Sequence, residues 1–243
     1  MLEKIKNLSA AVHRIDQNQQ KLNAQLAELQ WADVYHDSIR GRAWLENLPL
    51  NVGRWAGGYA FFYVLNRLMG DYKPSSVIEF GLGESSKFIS RYIENELTAT
   101  KHTIVEHDPE WVNAFKSRFS LSNQSSIEVF ELQEKTYNNE RYLGYKNIES
   151  ITSVKHELYI VDGPFGTDHY SRFDIRYFLD VLVPGDEFLI IVDDSQRQGE
   201  QDTYKELRKY LTDRGFQIHY YTYRGGKNLS VIGTGKYKFA MSL

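Results

Sequence analysis

The chain has 243 residues, 42% of them apolar and 14% aromatic, enough to bury one α/β core with an appendage. A net charge of −3 gives no basic field, which disfavours nucleic acid as a partner. There is no cysteine, which excludes a disulfide framework, a thiolate nucleophile and a thiolate zinc site, and suits a reducing, cytoplasmic setting.

Residues 1–30 contain neither Gly nor Pro. Met1, Ile5, Leu8, Val12, Ile15, Gln19, Leu22, Leu26 and Leu29 follow in steps of four and three. That spacing predicts a coiled-coil helix with Gln19 at one of its inner positions, and a homo-oligomer formed through it. The alternative is one amphipathic helix folded onto its own domain, for which a broader apolar stripe is usual. Lys4, Lys6, Arg14 and Asp16 interrupt any signal-peptide core.

Residues 31–74 form an aromatic, helical lead-in, with Trp31, Tyr35, Trp44, Trp55, Tyr59 and Phe61 punctuated by Pro49 and the Gly57-Gly58 pair. The stretch from Trp55 to Met69 is broken by Asn66 and Arg67 and reads as a buried helix, not a membrane span.

From 75 to 243 the pattern alternates. Strands are predicted at about 76–80, 102–106, 126–131, 157–162 and 186–193, and helices at about 85–97, 109–119, 170–182 and 200–214. The polar segment 133–155 reads as a lid or substrate loop. Two β-rich runs, Phe216–Tyr223 and Leu229–Gly233, flank Arg224-Gly225-Gly226-Lys227 and predict a closing hairpin, so that the last strand runs antiparallel.

The first of these strands ends in Glu79-Phe80-Gly81-Leu82-Gly83-Glu84-Ser85-Ser86, and the second in Glu106. Glycines let a ligand approach the backbone, and an acid at the second strand end can accept both hydroxyls of a ribose. A dinucleotide site wants a third Gly or Ala where Ser86 stands, and a pyrophosphate would be repelled by Glu79 and Glu84. The same acids suit a ligand carrying an ammonium and a sulfonium.

At these residues the chain resembles the class I S-adenosylmethionine-dependent methyltransferases, whose first motif reads Glu/Asp-x-Gly-x-Gly; the resemblance covers about 75–235. It implies a Rossmann-like α/β sheet of strand order 3-2-1-4-5-7-6 and S-adenosylmethionine as cofactor. It places Glu79, Gly81, Gly83 and Ser85 at the methionine end of that cofactor, Glu106 on the ribose and His107 beside the adenosine.

The fourth strand runs into Asp162-Gly163-Pro164 and the fifth into Asp193-Asp194. Carboxylates on neighbouring strand ends offer hard oxygen donors to Mg²⁺, although Asp193 and Asp194 can equally cap the following helix. The pattern resembles the metal-dependent O-methyltransferases of the catechol and macrolide-sugar types. That likeness implies Asp162, Asp193 and Asp194 as metal ligands and a small-molecule or sugar hydroxyl as acceptor. The catechol type places a lysine base where this chain has Phe165, so proton removal falls to His169, to another group such as Asp162, or to the metal alone. The alternative function is a non-catalytic, nucleoside-binding scaffold of a biosynthetic complex, assembled by the coiled coil.

Overall fold

In the computed structural model, which describes residues 2–243, the apolar runs of the second half of the chain become strands. They are β1 (Ser76–Phe80), β2 (Lys101–Glu106), β3 (Ser125–Val129), β6 (Leu158–Val161), β7 (Leu189–Val192), β8 (Ile218–Arg224) and β9 (Asn228–Thr234), with β4 (Leu132–Tyr137) and β5 (Glu140–Tyr145) between β3 and β6. Seven form one sheet in the order β3-β2-β1-β6-β7-β9-β8, and β4 and β5 pair by themselves. β9 runs antiparallel to both of its neighbours, as the hairpin at Arg224–Lys227 requires. Counting only the main sheet, this is the order 3-2-1-4-5-7-6.

The central strands are buried on both faces, so their residues alternate between two cores. Val77, Leu158, Ile160, Leu189 and Ile191 point to one side. There they meet α3 (Tyr59–Arg67) and α4 (Glu84–Asn95), the latter through Phe88, Ile89, Tyr92 and Ile93. Ile78, Phe80, Tyr159, Val161, Ile190 and Val192 point to the other, against α6 (Ile175–Phe178) and α7 (Gln198–Asp213). α5 (Pro109–Lys116) begins with proline in its first turn, and Asp108 caps it by accepting from the Glu110 and Trp111 amides at 2.8 and 3.2 Å.

Helix α1 runs from Leu2 to Ile39, with the short α2 (Ala43–Glu46) after it. Met1 and the Ile5 side chain, the first two positions of the seam, lie outside the described residues. The remaining apolar positions, Leu8, Val12, Ile15, Leu22, Leu26 and Leu29, are each between 57% and 66% exposed. The helix docks by a different face. Trp31 packs on Tyr63 and Tyr223, with ring centroids 5.5 and 5.9 Å away, and Tyr35 and Ile39 are buried in the first core. Among the described residues no helix is long and apolar enough to cross a membrane.

Two expectations need correction. The helix expected over 170–182 shortens to α6, because Tyr170 and Arg172 take positive φ values of 45° and 59°, which no α-helix accommodates. The segment expected as a lid is instead a hairpin, β4–β5, turning at Asn138 and Asn139, both with positive φ. It is fastened to the domain by Lys135, whose Nζ lies 3.0 Å from the buried Asp174, and by the Tyr145 amide, which donates to the same carboxylate.

Candidate active site

The register brings the chemistry to one rim. Phe80 pairs with Val105 on one side and Val161 on the other, and Val161 with Val192. The pairing continues one step past the strands: Gly81 N donates to Val105 O at 2.8 Å, Asp162 N to Phe80 O at 3.1 Å, and Asp193 N to Val161 O at 3.1 Å. Glu106, Gly81, Asp162 and Asp193 therefore sit level at the carboxyl ends of four adjacent strands. The chain order reverses between β1 and β6, the switch point at which open α/β sheets bind ligands.

On the β1–β2 side, Gly81 has φ +100°, a conformation that favours glycine. A Cβ on Gly83 would meet nothing within 4 Å, so this backbone is open to a ligand. Glu79 is fully buried beneath the turn. Its Oε2 accepts from Ser86 Oγ at 2.8 Å and lies 3.1 Å from His102 Nε2, while Oε1 has no partner. Ser86 in turn accepts from the Gly83 amide at 3.0 Å, so Glu79 holds the turn from below. Ser85 is buried in the first turn of α4.

Glu106 is also buried. It accepts from the amides of Leu82 at 2.9 Å, His107 at 2.6 Å and Asp108 at 3.0 Å, and from His107 Nδ1 at 2.7 Å. Burial pushes its carboxyl up, but the bonds from the His107 side chain and the three amides outweigh that and hold it below its ordinary value. His107 stands on the rim, its ring 4.7 Å from that of the exposed Phe165.

On the β6–β7 side, Asp162, Asp193 and Asp194 offer oxygens within 4.8 Å of one another. Asp194 is heavily neutralised: Arg197 approaches to 3.0 Å, Lys227 to 3.3 Å and Arg172 to 3.4 Å. Asp162 has Arg172 at 3.1 Å. Asp193 is 1% exposed, neither of its oxygens is hydrogen-bonded, and Lys227 approaches it only to 4.0 Å. Burial, and next their proximity to other carboxylates (Asp193 beside Asp162, Asp194 beside Asp193), push both Asp162 and Asp193 above the ordinary carboxylate range. The cluster is short of positive charge at Asp193. Two hard donors facing one another, one of them orphaned, fit a divalent cation.

His169 does not join this group. Its ring bonds Asp202 on α7 at 2.8 Å, and its side chain is 44% exposed. That bond raises its affinity for a proton and engages the ring with α7 instead of with the acid cluster. Sequence reasoning missed Arg172 and Lys227. The only local signal for either was the glycine pair before Lys227, read as a turn.

No protein-family model matches this chain, and no curated protein matches it. Solved structures do. The O-methyltransferase TomG of Streptomyces achromogenes, involved in tomaymycin synthesis and solved with S-adenosylmethionine, is similar with a TM-score of 0.52 at 11% identity, covering 88% of this chain and 99% of that one. An O-methyltransferase from Bacillus cereus, solved with its demethylated cofactor product, gives 0.49 at 12% identity, covering 88% of this chain and 100% of that one. The likeness to TomG is one of fold: the chain has the Rossmann-like methyltransferase architecture.

Proposed function

We propose that this protein is an S-adenosylmethionine-dependent methyltransferase acting on a hydroxyl oxygen of a small molecule or carbohydrate. The observation that carries the reading is the level placement of the Gly81–Gly83 turn, Glu106, Asp162 and Asp193 along the switch point of a methyltransferase sheet. The open backbone at Gly83 receives the methionine end, and Glu106 the ribose. Phosphate-free recognition agrees with the acids Glu79 and Glu84 that bracket the turn.

Transfer is an in-line displacement. The sulfur–methyl bond breaks as the oxygen–methyl bond forms, the sulfonium becomes a thioether, and the acceptor hydroxyl gives up its proton. Catalysis then consists of positioning and of handling that proton. Asp162 is the residue to take it: its side chain is 16% exposed at the rim, and its raised proton affinity suits a base working near neutral pH. Were Mg²⁺ held by Asp162 and Asp193, with Asp194 beside them, it would itself orient the hydroxyl and lower its pKa, and Asp162 would then serve as ligand instead of base. The exposed seam of α1 supports a homo-oligomer, in which the catalytic domains are carried side by side.

Titration calorimetry with S-adenosylhomocysteine, with and without Mg²⁺, tests the reading. Binding in the micromolar range is expected, and none for NAD. A preference for NAD would overturn it.

A further inference from the structure

Glu28 lies on the domain-facing side of α1, next to the seam residue Leu29, and its carboxylate reaches two distant parts of the chain. Oε1 accepts from the amide of Tyr59, the first residue of α3, at 2.7 Å, and Oε2 accepts from the amide of Gly226, in the β8–β9 turn, at 2.9 Å. A Cβ on Gly58, Gly225 or Gly226 would fall 2.9, 3.1 or 3.0 Å from those oxygens. The two glycine pairs are therefore more than loop punctuation: together they form a backbone cradle for one carboxylate. Trp31, one turn along α1, fastens the same hairpin by donating from Nε1 to Arg224 O at 2.8 Å.

The residue after Gly226 is Lys227. Its ammonium donates to Ala56 O at 3.0 Å and approaches Asp194 at 3.3 Å and Asp193 at 4.0 Å. Glu28 thus fixes both segments, 56–59 and 225–227, that carry this ammonium to the acid cluster. Among the described residues, Lys227 is the cation nearest the Asp193 carboxylate, while Arg172 donates to the Asp193 backbone carbonyl at 3.3 Å.

We propose that Glu28 is a positioning residue of the acceptor side of the site, acting through Lys227. This rests on the reading of the acid rim as the place of methyl transfer. It makes α1 part of the site's support as well as the carrier of the exposed seam. A carboxylate accepting two backbone amides holds both in register; an alanine leaves the two glycine segments free to separate, and Lys227 loses its fixed approach to Asp193 and Asp194.

The test uses the full-length chain. Parent, Glu28→Ala and Glu28→Gln are treated briefly with acetic anhydride, and acetylation of Lys227 is followed by mass spectrometry. Lys135 serves as the internal reference, since it is salt-bridged and comparably covered in a remote hairpin. Glu28→Ala should raise the Lys227 rate about tenfold, the order of one lost charge-assisted hydrogen bond, and leave Lys135 unchanged. Glu28→Gln keeps one accepting oxygen and should fall between, and it carries the test should the alanine variant not fold. An unchanged Lys227 rate, or an equal rise at Lys135, overturns the proposal. Calorimetry with S-adenosylhomocysteine on the same samples separates the two ideas. Failure of the parent to bind sinks the methyltransferase reading while leaving the lysine result as it stands, whereas affinity retained in Glu28→Ala is the result expected of a residue serving the acceptor side.

Discussion

Gly163 lies against Gly81 so closely that a methyl group on Gly163 would sit 2.9 Å from the Gly81 Cα and amide nitrogen. The turn after β6 and the turn after β1 are thus packed backbone to backbone at the switch point. Gly83, two residues along the same turn, has open space where its side chain would be.

The contrast gives a paired prediction. Gly163→Ala forces the two turns apart and should destabilise the fold by about 1–3 kcal/mol, the usual cost of overpacking. Gly83→Ala has room and should melt within a degree or two of the parent. It should nonetheless bind S-adenosylhomocysteine at least tenfold more weakly, because the new methyl group occupies the approach to the turn. Thermal melts and calorimetry on both variants check this. Parental affinity in Gly83→Ala would show that the cofactor does not use this backbone.

Glu106 carries a pH signature. Its folded-state carboxyl lies below the ordinary value of 4.5, so the charged form is favoured by folding. That contribution is complete above the unfolded value and is lost as pH falls through the folded one. Melting temperature should drop on acidification below about pH 4.5, and Glu106→Gln should flatten that limb of the profile. Hydrogen bonds to a charged group are worth roughly 1.5–3 kcal/mol, so the variant should also be less stable at pH 7 and bind the cofactor product more weakly. Melts across pH 3–7 with calorimetry at pH 7 measure both effects.

Much of this was legible in the sequence because its signals are local. Apolar runs ending in Glu79, Glu106, Asp162 and Asp193 become strands, and parallel strands in register place their ends on one rim whatever the loops do. The glycines between Arg224 and Lys227 likewise announced the hairpin that reverses β9. What stayed hidden is long-range. Arg172 meets Asp162, Asp194 and Glu200 across intervals that leave no periodic trace, and the positive φ values at Tyr170 and Arg172 interrupt a helical pattern for tertiary reasons. His169 looked suitably spaced from Asp162, yet Asp202 holds its ring. The Asn138-Asn139 pair was a readable turn signal inside a segment judged by its polarity alone.

Asp193 should behave in the opposite sense to Glu106. A buried carboxylate with no hydrogen bond is costly, and its raised proton affinity means the folded protein binds more protons than the unfolded one between the ordinary value of 3.8 and about 6. Its contribution to stability should therefore rise as pH is lowered from 7 through about 6 toward about 4.5. Asp193→Asn should remove much of that slope and, without divalent ions, melt no lower than the parent at pH 7.5. The same variant should lose Mn²⁺ binding, measured by calorimetry. A marked loss of stability in metal-free Asp193→Asn would show that the carboxylate has a partner it lacks in the present geometry.

The seam of α1 predicts assembly and also fixes where the chain must be cut to test it. Leu8, Val12, Ile15, Leu22, Leu26 and Leu29 are more than half exposed, and burying each such side chain gains roughly 1.5–3 kcal/mol. The helix already docks on its own domain through Trp31, Tyr35 and Ile39, so the seam has no partner there, and a second copy offers the matching surface. Light scattering of the intact chain at micromolar concentration should find a dimer or trimer. Removing residues 1–24 takes away most of the seam while sparing Glu28, and should give a smaller species that melts cooperatively and binds S-adenosylhomocysteine like the parent. Removing residues 1–30 also deletes Glu28 and should leave a less stable product, because the Tyr59 and Gly226 amides lose their common acceptor. A monomeric intact chain would refute self-association, and equal stability of the two truncations would refute the role given to the Glu28 contacts in holding the fold.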